Sequence, residues 1–355
     1  MSNERAREIE PKMHSAPRRR PTLKDVAAIA KVDPSLVSRV VNDDRRLPVS
    51  DATRKRVMAA IEQVGYRKNL AAQGLRTGRT GLLGYVVPDL GNPSYWQIIE
   101  GAKQRAAREG YTLLITTAPT EQSSATAFRE LLDEGRVDGL LVASGILGDD
   151  STAELLAGSG PVVVVNRRVP GATCAVVPDD EAASRLAASY LSGLGHRRCA
   201  ILTGPPELET TIRRRKAFNG ALKAAGLPRA LAVSAPGWTA PDGFAAAEEV
   251  FASKRKVTAV YSTAGLVHVG LMTAAAARGI AIPEQLSVIA LNDSPLNEFT
   301  APPTTAIRMP LDRVGAAAVD LLLRRMKGET IRSTEVVTEP APELVERNST
   351  LQTFD

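Results

Sequence analysis

The chain of 355 residues predicts an α/β protein with a small helical domain in front. The expected order is a three-helix headpiece, a short hinge helix and a two-lobed, doubly wound α/β core. Three observations predict it. Residues 22–42 carry two short apolar helical faces separated by a turn. Positive charge gathers at one end: 18 Lys and Arg stand against 9 Asp and Glu up to Thr80, and 27 against 30 beyond it. From Gly81 onward, strand-like apolar runs alternate with helical periodicity too often for one ordinary sheet, which implies two similar lobes.

Residues 1–20 are polar and charged, with no apolar core. They predict a disordered tail rather than a signal peptide or an anchor. Arg18, Arg19 and Arg20 either brush phosphates there or stay in solvent. In the next segment Val26, Ala27 and Ala30 put small apolar groups on one side of a first helix, and Val37, Val40 and Val41 do so for a second. The two can therefore pack closely. Asp33 stands at the N-cap position and Pro34 at the first helical position, a sharp start signal. Polar Ser35, Ser38, Arg39 and Asn42 fall on the outer side. A helix-turn-helix with such a face, on the basic part of the chain, points to DNA.

After a loop at 43–49, a third helix is capped by Ser50, runs through Val57, Ala60, Ile61 and Val64, and stops at Gly65. Residues 69–75 form a short helix-like stretch, and the polar residues 76–80 are the best domain boundary. Strands are expected at 82–87, 112–116, 139–143, 162–165, 199–202, 231–233, 258–261 and 287–291. Helices are expected at 95–108, 181–194, 214–225, 244–252 and 266–278. In such folds ligands sit in a crevice facing the strand C-termini.

Cys174 and Cys199 are too far apart for a CxxC site and predict buried apolar residues in a reducing cytoplasm. His14, His196 and His268 belong to no catalytic motif. There is no GxGxxG after a strand, no P-loop and no metal-ligand spacing, so no enzyme, cofactor or metal is expected. No apolar run is long enough to span a bilayer.

Several motifs, in order, resemble the lac-repressor/gal-repressor (LacI/GalR) family of bacterial transcription regulators. They are Thr22-Leu23-Lys24-Asp25-Val26-Ala27, Val37-Ser38-Arg39-Val40-Val41-Asn42 and the run from Val49 to Val57. Gly65-Tyr66, Leu75-Arg76-Thr77-Gly78-Arg79-Thr80, Pro88-Asp89-Leu90-Gly91-Asn92-Pro93, Arg136-Val137-Asp138-Gly139 and Gly195-His196 follow. Ile282-Pro283-Glu284-Gln285-Leu286-Ser287-Val288 and Pro302-Pro303-Thr304-Thr305 complete the set. The resemblance covers nearly everything after Pro21. It implies a headpiece at 21–67, a hinge helix and linker at 68–80, and a core at 81–355 of the periplasmic-binding-protein type. The lobes would be discontinuous, about 81–178 with 309–338 and about 179–308 with 339–355. It also implies a cytoplasmic, nucleoid-associated homodimer on a pseudo-palindromic double-stranded operator.

On that resemblance Ser35, Leu36 and Arg39 face the major groove, while Thr22, Ser38, Asn42, Ser50, Thr53 and Asn69 hold the backbone. Arg39 either reads guanine bidentately or holds a phosphate. Leu36 either touches a thymine methyl or packs inward. Leu75 is expected to wedge into the minor groove, with Gly74 keeping the hinge unfolded until DNA binds. Lys31 stands where the family often has a turn glycine. The effector crevice would be lined by Asn92, Pro93, Tyr95, Asn166, Arg214, Trp238 and Asn292, with Trp238 a platform for a sugar-like ligand. Asn166, Asn292 and Ala264-Gly265 replace family carboxylates and an Asn-Asp pair while Arg214 remains. That pattern predicts an acidic or phosphorylated sugar. The alternative is a constitutive DNA-binding regulator with an effector-independent core.

Overall fold

A computed structural model describes residues 21–41, 49–66, 78–118, 129–143, 160–169, 172 and 174–353. The chain divides between residues 76 and 77 into two compact units.

The first unit holds α1 (Leu23–Ala30), α2 (Pro34–Val41) and α3 (Asp51–Val64). At the start of α1 the backbone N–H and hydroxyl of Thr22 both donate to the Asp25 carboxylate, each at 2.7 Å. The turn into α2 passes through Lys31 in the left-handed region, φ 52°, where a Cβ is unfavourable. This gives the departure from glycine at Lys31 a conformational cost. Asp33 caps α2 by accepting from the Ser35 N–H at 2.8 Å, and hydrogen bonds from Ser35 lower its pKa. Helix α3 begins at the Ser50 cap, whose Oγ accepts from Thr53 N–H, and ends at Gly65 with φ 65°. Val26, Ala27, Ala30, Val37, Val40, Val57 and Ala60 close the core of this unit.

The second unit contains two six-stranded sheets. The first is built from β1 (Leu82–Val87), β2 (Thr112–Thr117), β3 (Gly139–Val142), β4 (Val162–Val165), β5 (Cys174–Pro178) and β11 (Ser333–Val337), in the order β11-β5-β4-β3-β1-β2. All its pairings are parallel, with Tyr85 of β1 opposite Ile115 and Leu141. The second has β6 (Cys199–Thr203), β7 (Leu231–Ser234), β8 (Ala259–Ser262), β9 (Ser287–Leu291), β10 (Thr305–Arg308) and β12 (Glu343–Val345), in the order β12-β10-β9-β8-β6-β7. Only β12 runs antiparallel to its neighbour. Strands such as the four valines of β4 are buried along their whole length, as expected where helices cover both faces.

Among the described residues the helices of this unit are α4 (Pro93–Arg108), α5 (Asp180–Gly193), α6 (Glu209–Ala224), α7 (Ala240–Ala252), α8 (Gly265–Ala277), α9 (Pro295–Glu298) and α10 (Leu311–Met326), with a π-helical turn at Arg129–Asp133. Each lobe has one helix crossing made close by paired glycines. A Cβ on Gly101 of α4 would fall on the Asp312 carbonyl, and one on Gly315 of α10 would fall on the Ile98 carbonyl. In the second lobe Gly243 meets the Val267 backbone, and Gly270 meets Ala240 and Phe244.

Four strands went unread from sequence: β5, β10, β11 and β12. The sequence pattern also does not announce the short α9 or helix α10. Helix α10 returns the chain to the first sheet before β12 goes back to the second. Both cysteines are buried and unpaired, and burial pushes the Cys199 thiol up to about 12. Among the described residues no helix is long and apolar enough to cross a membrane. Where the chain enters β1, Asp138 holds it. Its carboxylate accepts from Thr80 N–H at 2.6 Å, Thr80 hydroxyl at 2.9 Å and Gly81 N–H at 2.9 Å.

Candidate functional site

In the headpiece, Ser35 and Arg39 stand exposed on α2, and Ser50 is exposed at the start of α3. Ser38 and Thr53 are half-buried. Leu36 is also half-buried and packs against the headpiece core, so only its outer edge remains for a base. Thr22 and Ser50 spend side-chain hydrogen bonds on their own helix starts, and a hydroxyl retains capacity for a phosphate beyond such a bond. Asn42, Asn69, Gly74 and Leu75 lie outside the described residues, as do the tail and residues 43–48.

In the second unit a cleft opens between the two sheets. Asn92, Tyr95, Asn166, Arg214 and Trp238 line it, together with Pro88, Asp89, Ser94, Arg167, Thr210, Thr263 and Ala264. Pro93 and Asn292 are not in that wall. Pro93 is buried at the first position of α4 and faces Gly265 across the lobes, with ring atoms 3.6 Å from where a Cβ would stand. Asn292 closes one side by donating Nδ2–H to Ser94 Oγ at 2.9 Å. Gln97 Nε2 donates to the Asp293 carbonyl beside it at 2.9 Å. On another side the Arg168 N–H of the first lobe donates to Glu209 of α6 at 3.2 Å. The enclosed space is about 70 Å³, against roughly 300–1,000 Å³ for a common ligand pocket.

Each lining group has a local reason for its place. Asn92 caps α4, accepting from Ser94 N–H at 3.1 Å. Tyr95 is buried, and its hydroxyl donates to the Ala143 carbonyl at 3.3 Å, leaving the ring as its offering to the cleft. The Trp238 ring lies on Gly204, where a Cβ would run into it. Asn166 follows β4 and Asn292 follows β9, and both adopt positive φ, 72° and 69°. Asparagine tolerates that conformation better than most residues. That backbone accounts for a short polar side chain at both positions, and it suits aspartate as well as asparagine.

Arg214 differs most from expectation. Its Nε donates to Asp180 Oδ1 at 2.9 Å and its Nη1 to the Thr263 carbonyl at 3.0 Å. Asp180, at the first position of α5, is 1% exposed. Its other oxygen accepts from Arg213 Nη2 at 2.5 Å, and Arg213 Nη1 also reaches Glu209 at 2.8 Å. Burial disfavours the charged form of Arg213, but the carboxylates of Asp180, Glu209 and Glu181 together outweigh it and the pKa is raised. The expectation of an acidic or phosphorylated ligand assumed an unopposed Arg214. A buried carboxylate opposes it, which removes that argument.

Sequence reasoning missed Asp89, Arg167, Thr210, Thr263 and Gly204. Thr210 lies one helical turn before Arg214, and Arg167 directly follows Asn166, so both were within reach of helix and strand-end geometry. Gly204 carried no signal, because its partner Trp238 is distant in sequence. Among the described residues no His, Cys, Asp and Glu group is placed to hold a metal ion.

Comparison with known proteins adds the family. Residues 22–69 match the model for bacterial regulatory proteins of the lacI family, and residues 188–350 match that for the periplasmic binding protein-like domain. An uncharacterized HTH-type transcriptional regulator in the aml 5' region of Streptomyces limosus is 34% identical over 94% of this chain and 95% of that protein. A structure of the lac repressor dimer bound to operator and the anti-inducer ONPF superimposes with TM-score 0.79, at 26% identity over 94% of this chain and 100% of that one. A complex of the transcriptional regulator CelR with cellobiose gives TM-score 0.68, at 29% identity over 93% of this chain and 100% of that one.

Proposed function

Because the chain belongs to the lacI family of bacterial regulatory proteins, we propose that it is a repressor that binds a pseudo-palindromic operator as a homodimer and releases or tightens its grip when a small sugar-like metabolite occupies the cleft. The observation that carries the effector half is the convergence of polar groups from both lobes on one closed cleft beside an aromatic platform. A ligand that favours one lobe arrangement shifts operator affinity by its differential binding to the two states.

For DNA, Arg39 and Ser35 supply base contacts, with a minor edge from Leu36. Thr22, Ser38, Asn42, Ser50, Thr53 and Asn69 hold phosphates, and Leu75 wedges the minor groove. The exposure of Arg39 and Ser35 on α2 supports the first assignment. Pro34 offers no hydrogen-bonding side chain, so base readout leans on few residues. In the cleft, the Trp238 face suits the C–H side of a sugar ring, while Asn92, Asn166 and Arg214 suit its hydroxyls. The CelR–cellobiose complex supports that ligand class by analogy.

Selection of bound duplexes from random DNA tests the partner and gives the half-site spacing. A two-fold symmetric consensus is expected. Adding a sugar panel to the selected duplex then tests the effector. A several-fold affinity change with at least one sugar supports regulation, and invariance across the panel favours a constitutive regulator.

A further inference from the structure

The cleft wall contributed by the second lobe is backed by a charge cluster. Arg213 and Arg214 meet the carboxylates of Asp180 and Glu209; Arg213, Arg214 and Asp180 are all more than nine-tenths buried, while Glu209 is partly exposed and also lies 3.7 Å from Arg168 of the first lobe. Only Arg214 of the four reaches the cleft. It uses Nε on Asp180 and Nη1 on a backbone carbonyl, which leaves further N–H groups of the same guanidinium for a ligand. We propose that Asp180 sets the charge class of the ligand: by neutralising Arg214 from behind, it makes the cleft a site for uncharged, polyhydroxylated molecules and closes it to phosphates and carboxylates. The proposal rests on the cleft being the effector site.

The physical argument is one of balance. An anion entering the cleft must give up its hydration. Arg214 would repay this only if its positive charge were unopposed. Asp180 lies against that charge, and its burial keeps water from screening it. The other charged groups in the wall, Asp89 and Arg167, are of opposite sign to each other. A hydroxyl loses far less on desolvation and can still accept from the remaining N–H groups. Arg213 holds Asp180 in place from the far side, out of the cleft, so Arg213 positions the counter-charge without touching ligand.

The test uses the full chain, with inorganic phosphate as probe and chloride at matched ionic strength as reference. The quantity read is the part of the phosphate-induced rise in Tm that Arg214→Gln removes, so that phosphate bound elsewhere is subtracted. The wild-type protein is expected to show none. Asp180→Asn, which keeps the shape and removes the charge, is expected to show a rise of about 2 °C or more at millimolar phosphate. Should that variant fail to fold, Asp180→Asn/Arg213→Gln keeps the buried charge balanced and still leaves Arg214 without a carboxylate, and the same rise is expected. An Arg214-dependent rise in the wild type overturns the proposal, and so does its absence from whichever of these variants folds. Neither operator nor sugar enters this measurement, so its failure is distinct from a failure to find regulated DNA binding.

Discussion

The two lobes meet at the cleft with the same backbone device and different electrostatics. Each ends a central strand on an asparagine in the left-handed region, Asn166 after β4 and Asn292 after β9. Each has a helix crossing made close by paired glycines. The first lobe then lines the cleft with side chains tied to their own backbone, Asn92 to Ser94 and Tyr95 to Ala143. The second lobe presents Arg214 as part of a charge cluster in which Arg213, Arg214 and Asp180 are buried and Glu209 is partly exposed. Neutral hydrogen bonds can be exchanged at small net cost, whereas buried charges cannot be parted cheaply. The second wall is therefore expected to resist rearrangement more than the first.

The largest expected effect breaks that contrast at its source. Asp180→Ala leaves two buried guanidinium groups with Glu209 alone and is expected to lower unfolding stability by about 3–5 kcal/mol. Asn166→Ala, at the matching wall of the first lobe, should stay near 1 kcal/mol. Urea unfolding of the full chain compares them, and equal losses would erase the distinction.

Next comes pH. His268 is buried in α8 with Nε2 at 3.0 Å from Thr304 Oγ1, and burial lowers its pKa to about 4. The folded state keeps the ring neutral while the unfolded chain takes up a proton below about pH 6.5. Stability is full above that pH and declines as pH falls toward 4, by up to about 3 kcal/mol. His268→Gln should flatten that part of the stability–pH curve, and an unchanged slope would contradict the assignment. Smaller again, Gly315→Ala in the first lobe and Gly270→Ala in the second should each cost about 1–3 kcal/mol through backbone overlap. A neutral substitution at either would show that its helices move apart freely. The smallest effect sharpens the closure. Asn292→Ala removes the cross-lobe bond to Ser94 and should cost about 1 kcal/mol, with faster amide exchange at the start of α4 read by mass spectrometry.

Much of this was legible in the sequence where signals are local. Ser50 and Gly65 marked both ends of α3, and β1, β4 and β9 were read to the residue because their apolar runs are short and bounded. What failed was non-local or exposed. Strand β11 is exposed at four of its five positions, so it shows no buried run. Strand β5 was missed although all five of its residues are buried, and its last residue is a proline. Helix α10 is amphipathic and lacks a capping side chain, so no local start signal announces it. In the cleft, five of the seven expected residues line the wall, yet Asp180 escaped notice. An acid at a helix start reads as a complement to the helix dipole, and its arginine partners lie 33 and 34 residues away. Without Asp180 in view, Arg214 read as an unopposed charge.

The most direct measurement is fluorescence anisotropy of the full chain on its own promoter duplex and on a scrambled duplex, at moderate ionic strength, with and without a panel of neutral sugars. The account predicts preference for the promoter and a several-fold change in Kd with at least one sugar. Equal binding to both duplexes, whatever is added, would contradict it.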